Sequence, residues 1–202
     1  TGFQSMLEHW VGMEELVYAL ADFPKTVLCI LERLRYLDGL TVEIAAGSPG
    51  EAFIFWEDTS TTNVSPRWFR DYVAPVIHEW AEILHAQGKL LVHHACGHMR
   101  ALLPLEAELA VDAIDSLTPP PTGDVELWDA REILGPEVCI IGGIDPVVFL
   151  HSTLAELEAY VRTLISRMPP EGLILANSDS CPPGVAFEKF RLIGEIVREA
   201  GC

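Results

Sequence analysis

From Ala52 to Ala176 the chain alternates short, wholly apolar runs with longer segments in which apolar residues recur every three or four positions. The apolar runs are Ala52-Phe53-Ile54-Phe55-Trp56, Lys89 to His94, Leu109 to Ile114, Val138 to Ile141, and Leu173 to Ala176. None alternates cleanly between apolar and polar, which is the pattern of strands covered on both faces. Between them the periodicity predicts helices. Ser65-Pro66 supplies an N-cap and a first-turn proline for a helix to about Ala86, and Thr153 with Glu156 forms a capping box for another reaching about Met168. A short helix is expected over 98–109, one over Val125 to Leu134 ending at Gly135-Pro136, and a last one from about Ala186 to Ala200. Upstream, residues 3–22 read as one or two short helices broken near Gly12, and Val27 to Ile44 as a longer one stopped by Gly47-Ser48-Pro49-Gly50. The proline-rich stretch from Leu117 to Asp124 reads as a loop.

Strand and helix in strict alternation predict a parallel sheet flanked by helices, an α/β chain of the (β/α)8 TIM-barrel type. Eight strands close such a barrel and five are visible, so the chain reads as about the last five βα units, with about three strands expected upstream of Thr1. No linker or low-complexity segment divides it, and residues 1–202 are expected to form a single domain.

Composition narrows the function. Half of the 202 residues are hydrophobic, enough for a substantial core, and a net charge of −17 with no basic cluster excludes electrostatic nucleic-acid binding. The apolar runs fall far short of the roughly 20 residues of a membrane span. Five scattered cysteines suit a cytoplasmic protein without disulfides; Cys29 and Cys139 are expected to be inert core residues.

Polar residues gather at the carboxyl ends of the predicted strands, where α/β barrels carry their chemistry. Along Leu90 to His98, strand alternation puts His94 and Cys96 on one face and His93 on the other, toward the helices. An imidazole and a thiol two residues apart suit zinc, and Cys181, at the end of the last strand, supplies a third ligand. Three protein donors leave the open position of a catalytic metal, to be filled by a carboxylate, water or substrate. His98 is a competing ligand beyond the turn at Gly97. Phe53, Phe55 and Glu57 share a face, and Glu57 is favoured as fourth ligand or acid/base group. Asp145, in Gly-Gly-Ile-Asp-Pro, contacts substrate or fixes its own turn.

Ser65-Pro66-Arg67-Trp68-Phe69, His94-x-Cys96-Gly97, the Gly123-Asp124 loop, Gly143-Ile144-Asp145-Pro146 and the late Cys181, in this order, resemble the uroporphyrinogen decarboxylase superfamily. They resemble most its zinc-dependent branch, the methylcobalamin:coenzyme M and other corrinoid-protein methyltransferases. The resemblance covers nearly the whole chain and corresponds to the carboxyl-terminal portion of the barrel. It implies zinc on His94, Cys96 and Cys181, and methyl transfer between the methylcobalamin of a partner corrinoid protein and a small-molecule thiol or methylated donor. An oligomer is compatible with it. A metal-free decarboxylase-like lyase is the alternative, although Arg67 and Arg100 alone follow strand ends, too few for a substrate with many carboxylates. The third possibility is an inactive, truncated barrel with a binding role.

Overall fold

All five predicted strands join one parallel sheet, in the chain order β1-β2-β3-β4-β5. In the computed structural model, which describes residues 1–201, β1 is Ala52–Trp56, β2 Leu90–His94, β3 Ala113–Leu117, β4 Cys139–Ile144 and β5 Leu173–Asn177. Adjacent parallel strands are joined by helical crossovers, so the architecture is α/β and is that of part of a TIM barrel. Among the described residues no helix is long and apolar enough to cross a membrane.

The chain enters through α1 (Gly2–Ser5), a π-helical turn over Met6–Trp10, α2 (Met13–Asp22) and α3 (Pro24–Ala46). Gly12 separates the first two by adopting φ 91°, open to glycine and strained for other residues. The expected helix after Ser65 forms in two parts, α4 (Pro66–Trp68) and α5 (Ala74–His85), joined by a π-helical turn over Phe69–Val73. Pro75 explains the interruption: it has no amide hydrogen to return to the preceding turn. The crossovers continue with α6 (Leu103–Glu106), α7 (Leu127–Leu134), α8 (Pro146–His151), α9 (Leu154–Arg167) and α10 (Phe187–Ala200). The capping box of α9 is present, with Thr153 and Glu156 bonded reciprocally.

Two expectations are corrected here. The third strand lies not over 109–114 but over Ala113–Leu117, and the helix expected over 98–109 shrinks to α6. Leu109 and Val111 are buried as the chain approaches the sheet. Asp112 stops the strand from starting earlier: its Oδ2 accepts the Leu91 amide at 2.7 Å and meets His85 Nε2 at 2.8 Å. The strand that does form holds Asp115 and Ser116, and its pairing with β4 shifts register between Ile114 and Leu117. Cys29 is exposed on α3 and Cys139 half-buried, so neither is the core thiol expected of it.

Burial separates the two faces of the sheet. Leu91, His93 and Ile114 are at or near complete burial under the helices, and Phe55 meets Trp80 of α5 edge to face at 5.1 Å. On the other face Ile54 is 39%, Trp56 67%, Leu90 49% and Ile174 54% exposed. The helix layer therefore takes Phe53 and Phe55, and the inner face takes Ile54 and Trp56, which reverses the expected parity of β1.

Polar clamps fix both ends of the sheet. At the amino ends, Arg131 Nη1 donates to the carbonyls of Gly135 (2.7 Å) and Val138 (2.6 Å), and its Nη2 to that of Gly172 (2.6 Å), tying the entries of β4 and β5. Lys89 Nζ does the same for β1, donating to the carbonyls of Ser48 and Gly50. At the carboxyl ends, Asp124 Oδ1 accepts the amides of Met99 (2.8 Å) and Arg100 (2.9 Å), joining the proline-rich loop to the loop after β2. Gly123 permits that approach, because a Cβ there would lie 1.7 Å from the Thr118 carbonyl oxygen. Gly123→Ala is expected to lower stability by about 2 kcal/mol or more, measured by urea unfolding; an unchanged midpoint would show that the loop relaxes freely.

Candidate active site

Strand β2 ends in two imidazoles that leave it on opposite faces. His94 takes the inner face, and the parallel register sets it beside Asp115 of β3. Its Nδ1 lies 2.8 Å from Asp115 Oδ2, with side-chain exposures of 8% and 19%. Burial of Asp115 opposes its ionisation, but hydrogen bonds from His94 and Ser116 and the charge of His94 outweigh that and hold the carboxyl below its usual range. An ionised Asp115 accepts the Nδ1 hydrogen and leaves Nε2 as the ring nitrogen turned away from it. Trp56, the register partner of His94 on β1, lies against the ring with centroids 4.6 Å apart.

The network continues across the sheet. Ser116 Oγ donates to Asp115 Oδ2 at 3.0 Å and accepts the Asp179 amide at 3.0 Å, which joins the ends of β3 and β5. Ser116 and Asp179 each have φ 66°, uncommon for residues with a side chain, and the two left-handed turns meet at this bond.

Cys96 stands two residues beyond His94, in the loop after β2. Its Sγ donates to Asp58 Oδ1 at 3.3 Å, and Asp58 Oδ2 accepts Asn63 Nδ2 at 3.0 Å. Burial, then the hydrogen bond to Asp58 and the charges of Asp58 and Asp179, push the Cys96 thiol up to about 12. Three bonds staple its loop to the loop after β1: the His98 amide donates to Ser60 Oγ at 3.1 Å, and the Thr61 amide (2.9 Å) and hydroxyl (3.1 Å) both donate to the His98 carbonyl.

Other expected site residues are placed differently. Glu57 is 3% exposed and its Oε1 accepts the Thr1 hydroxyl at 2.6 Å; the carboxylate that reaches Cys96 is that of its neighbour Asp58. Asp145 is wholly buried, its Oδ1 accepting the Val147 (2.8 Å) and Val148 (2.9 Å) amides and its Oδ2 the Thr122 amide (3.0 Å). It caps α8 and ties down the proline-rich loop, rather than standing open to substrate. Cys181 is exposed, with Sγ 3.7 Å from the Pro182 carbonyl, and His98 is also exposed. His93 faces the helices as expected, in hydrogen-bond reach of Thr59 and Glu106.

The donor chemistry at this rim suits zinc: an imidazole nitrogen oriented by a carboxylate, a thiol among acidic groups, and a second thiol two residues beyond Asp179. The donors are not drawn round one point, since among the described residues no three His, Cys, Asp or Glu side chains are grouped closely enough to hold a metal ion. Asp115 was missed because the sequence reading had ended the third strand before it. Its signal was a single carboxylate between apolar Ile114 and Leu117. Asp58 was passed over because the apolar run before it reads equally well on either face.

Residues 41–200 match the uroporphyrinogen decarboxylase (URO-D) family. The chain belongs to that family. A uroporphyrinogen decarboxylase from Gloeobacter violaceus is 24% identical over 144 residues, 70% of this chain and 39% of that protein. This URO-D family chain thus spans about two fifths of the length of that curated relative. A methyltransferase from Methanosarcina mazei superposes with TM-score 0.77 at 14% identity, covering 96% of this chain and 55% of that one. A B12-independent methionine synthase from a Shewanella species, in complex with selenomethionine, superposes with TM-score 0.55 at 16% identity, covering 82% of this chain and 55% of that one. At these identities the likeness to the two solved structures is one of fold.

The Cys96 environment sets a pH dependence. In zinc-free protein Cys96 is expected to alkylate slowly with iodoacetamide near pH 8 and faster as pH rises, because the thiolate reacts and its formation is displaced to about 12. Asp58→Asn removes one negative charge and leaves only a neutral amide oxygen as acceptor, so the thiol pKa falls and the rate at pH 8 rises by about three- to fourfold for each unit of fall, the lower nucleophilicity of a more acidic thiolate offsetting part of the gain. Mass spectrometry of the Cys96 peptide reads the rate, and no acceleration in Asp58→Asn would refute the coupling.

Proposed function

We propose that the chain carries the metal-binding rim of a zinc-dependent methyltransferase, which moves a methyl group between a corrinoid protein and a thiol or methylated small molecule. The observation that carries this reading is the His94–Asp115 pair at 2.8 Å, because it leaves Nε2 as the nitrogen not taken up by Asp115, two residues before Cys96. A carboxylate behind the imidazole is the common support of a zinc-ligating histidine. His94, Cys96 and Cys181 would hold the metal. When bound, zinc supplies a Lewis acid that makes a coordinated thiol available as thiolate near neutral pH.

The chain's own residues do the remaining work. Asp115 keeps the Nδ1 proton in place and the ring oriented. Asp58 Oδ1 already accepts the Cys96 hydrogen and is its first acceptor when that thiol ionises. Trp56 shields one side of the imidazole. The fold likeness to the Methanosarcina mazei methyltransferase supports the reading.

A metal-free lyase is the second reading, favoured by the name of the Gloeobacter violaceus relative. The charge of the rim opposes it: Asp58, Asp115 and Asp179 surround the site. Arg67 and Arg100 are 80% and 55% exposed and pair with Asp71 (3.5 Å) and Asp129 (3.7 Å). A substrate bearing carboxylates would meet repulsion there.

Metal analysis after equilibration with zinc and desalting tests the proposal. The wild-type chain is expected to retain about one zinc, and Cys96→Ser and Cys181→Ser to lose it. Asp115→Asn is expected to weaken zinc affinity by about 10–100-fold in a competition titration with a chelator. A wild-type chain that binds no zinc sinks the proposal, and turnover of a porphyrinogen by zinc-free protein would establish the lyase instead.

A further inference from the structure

The imidazole of His93 sits on the helix side of β2 with polar partners, where an apolar side chain would pack without them. Its Nδ1 lies 2.9 Å from Glu106 Oε2 and its Nε2 3.0 Å from Thr59 Oγ1. The side chains of His93 and Glu106 are both 0% exposed, and Thr59 is 1% exposed. Phe55 and Phe69 lie nearly parallel to the ring, with centroids at 4.6 Å and 6.3 Å, so its plane is fixed by packing. Glu106 Oε1 has no hydrogen-bond partner among the described residues. Burying an ionisable pair and an unpaired carboxylate oxygen in an apolar layer opposes folding, so stability alone does not account for the arrangement.

The chain of hydrogen bonds ends beside the candidate site. Thr59 follows Asp58, and its amide donates to the Glu57 carbonyl at 2.8 Å, a tight turn with Asp58 at its tip. The Asp58 amide donates to Gln4 Oε1 at 2.8 Å, while its carboxylate accepts the Cys96 thiol. The bonds to His98 hold the loop only from Ser60 onward, and Asn63, whose Nδ2 donates to the Asp58 carboxylate at 3.0 Å and carbonyl at 3.4 Å, ties Asp58 within its own loop and not to the strand. The Thr59 hydroxyl is thus the side-chain tie between the turn that carries Asp58 and the strand that carries His94.

We propose that His93, oriented by Glu106, is a positioning residue: it holds Thr59 and so fixes the Asp58 carboxylate against the Cys96 thiol. Glu106 accepts the Nδ1 hydrogen, which leaves Nε2 to accept the Thr59 hydroxyl. The two faces of β2 then have linked tasks, His94 presenting its nitrogen on one and His93 setting the surroundings of Cys96 from the other. The inference rests on Cys96 belonging to the proposed site, but its test needs neither zinc nor methyl transfer.

His93→Leu would strand the Glu106 carboxylate in the core, so the test is made at Thr59, where one hydroxyl changes. The readout is the rate of Cys96 carbamidomethylation in zinc-free full-length protein at one pH, followed by peptide mass spectrometry, with the melting temperature of each variant recorded. Thr59→Val is expected to accelerate alkylation about threefold or more, and Thr59→Ser to return it to within about twofold of wild type. In an Asp58→Asn background Thr59→Val is expected to add nothing further, because the carboxylate it positions is gone. An unchanged rate in Thr59→Val, the same acceleration with and without Asp58, or no rescue by serine would overturn the proposal, whatever happens to the melting temperature. Zinc binding is read separately. A chain that binds no zinc but shows the Thr59–Asp58 coupling loses the methyltransferase reading and keeps this one, and a zinc-binding chain without the coupling does the reverse.

Discussion

Everything at this rim depends on the two-residue period of a strand. Because β2 ends in adjacent histidines, one imidazole must enter the helix layer when the other turns to the inner face, and neither can move without its neighbour. The parallel register converts that alternation into chemistry. It sets His94 beside Asp115 on one neighbouring strand and beside Trp56 on the other. A slip of one residue in β2 would put the free nitrogen between the rings of Phe55 and Phe69.

The electrostatics of the site follow from the loops that this register brings together. Asp58 bonds the Cys96 thiol, Asp115 bonds the His94 imidazole, and the charge of Asp179 acts on Cys96; among the described residues, Asp115 is the one of these aspartates with a basic side chain in hydrogen-bond reach. The surroundings hold Cys96 protonated in the metal-free protein, and Asp115 fixes the His94 ring through Nδ1. Few arginines face this rim, and those that follow strand ends are paired with aspartates elsewhere. The same balance that unsettles the lyase reading supports a metal reading.

Much of the fold was legible in the sequence because its signals are local. Five apolar runs, the Ser65-Pro66 start and the Thr153–Glu156 box each mark an element by residues a few positions apart. The third strand was misplaced because its interior carries Asp115 and Ser116, and a serine at positive φ has no counterpart in strand periodicity. The parity of β1 was unreadable for another reason: a run that is apolar on both faces does not say which face meets the helices. That ambiguity carried forward to the site, exchanging Glu57 for Asp58. Asp145 shows the converse limit, since a carboxylate that caps a buried turn and one that greets a substrate look alike until their hydrogen-bond partners are known.

Arg131 and Lys89 grip the entries of the strands, while the residues of the candidate site stand at the exits. Cohesion and chemistry therefore occupy opposite poles of the same sheet. Exit loops held by their own staples can exchange side chains while the basal clamps keep the strands in order. Such a scaffold permits one lineage to diversify its reactions without relearning how to fold, and directed evolution confined to the exit loops would draw on that same freedom.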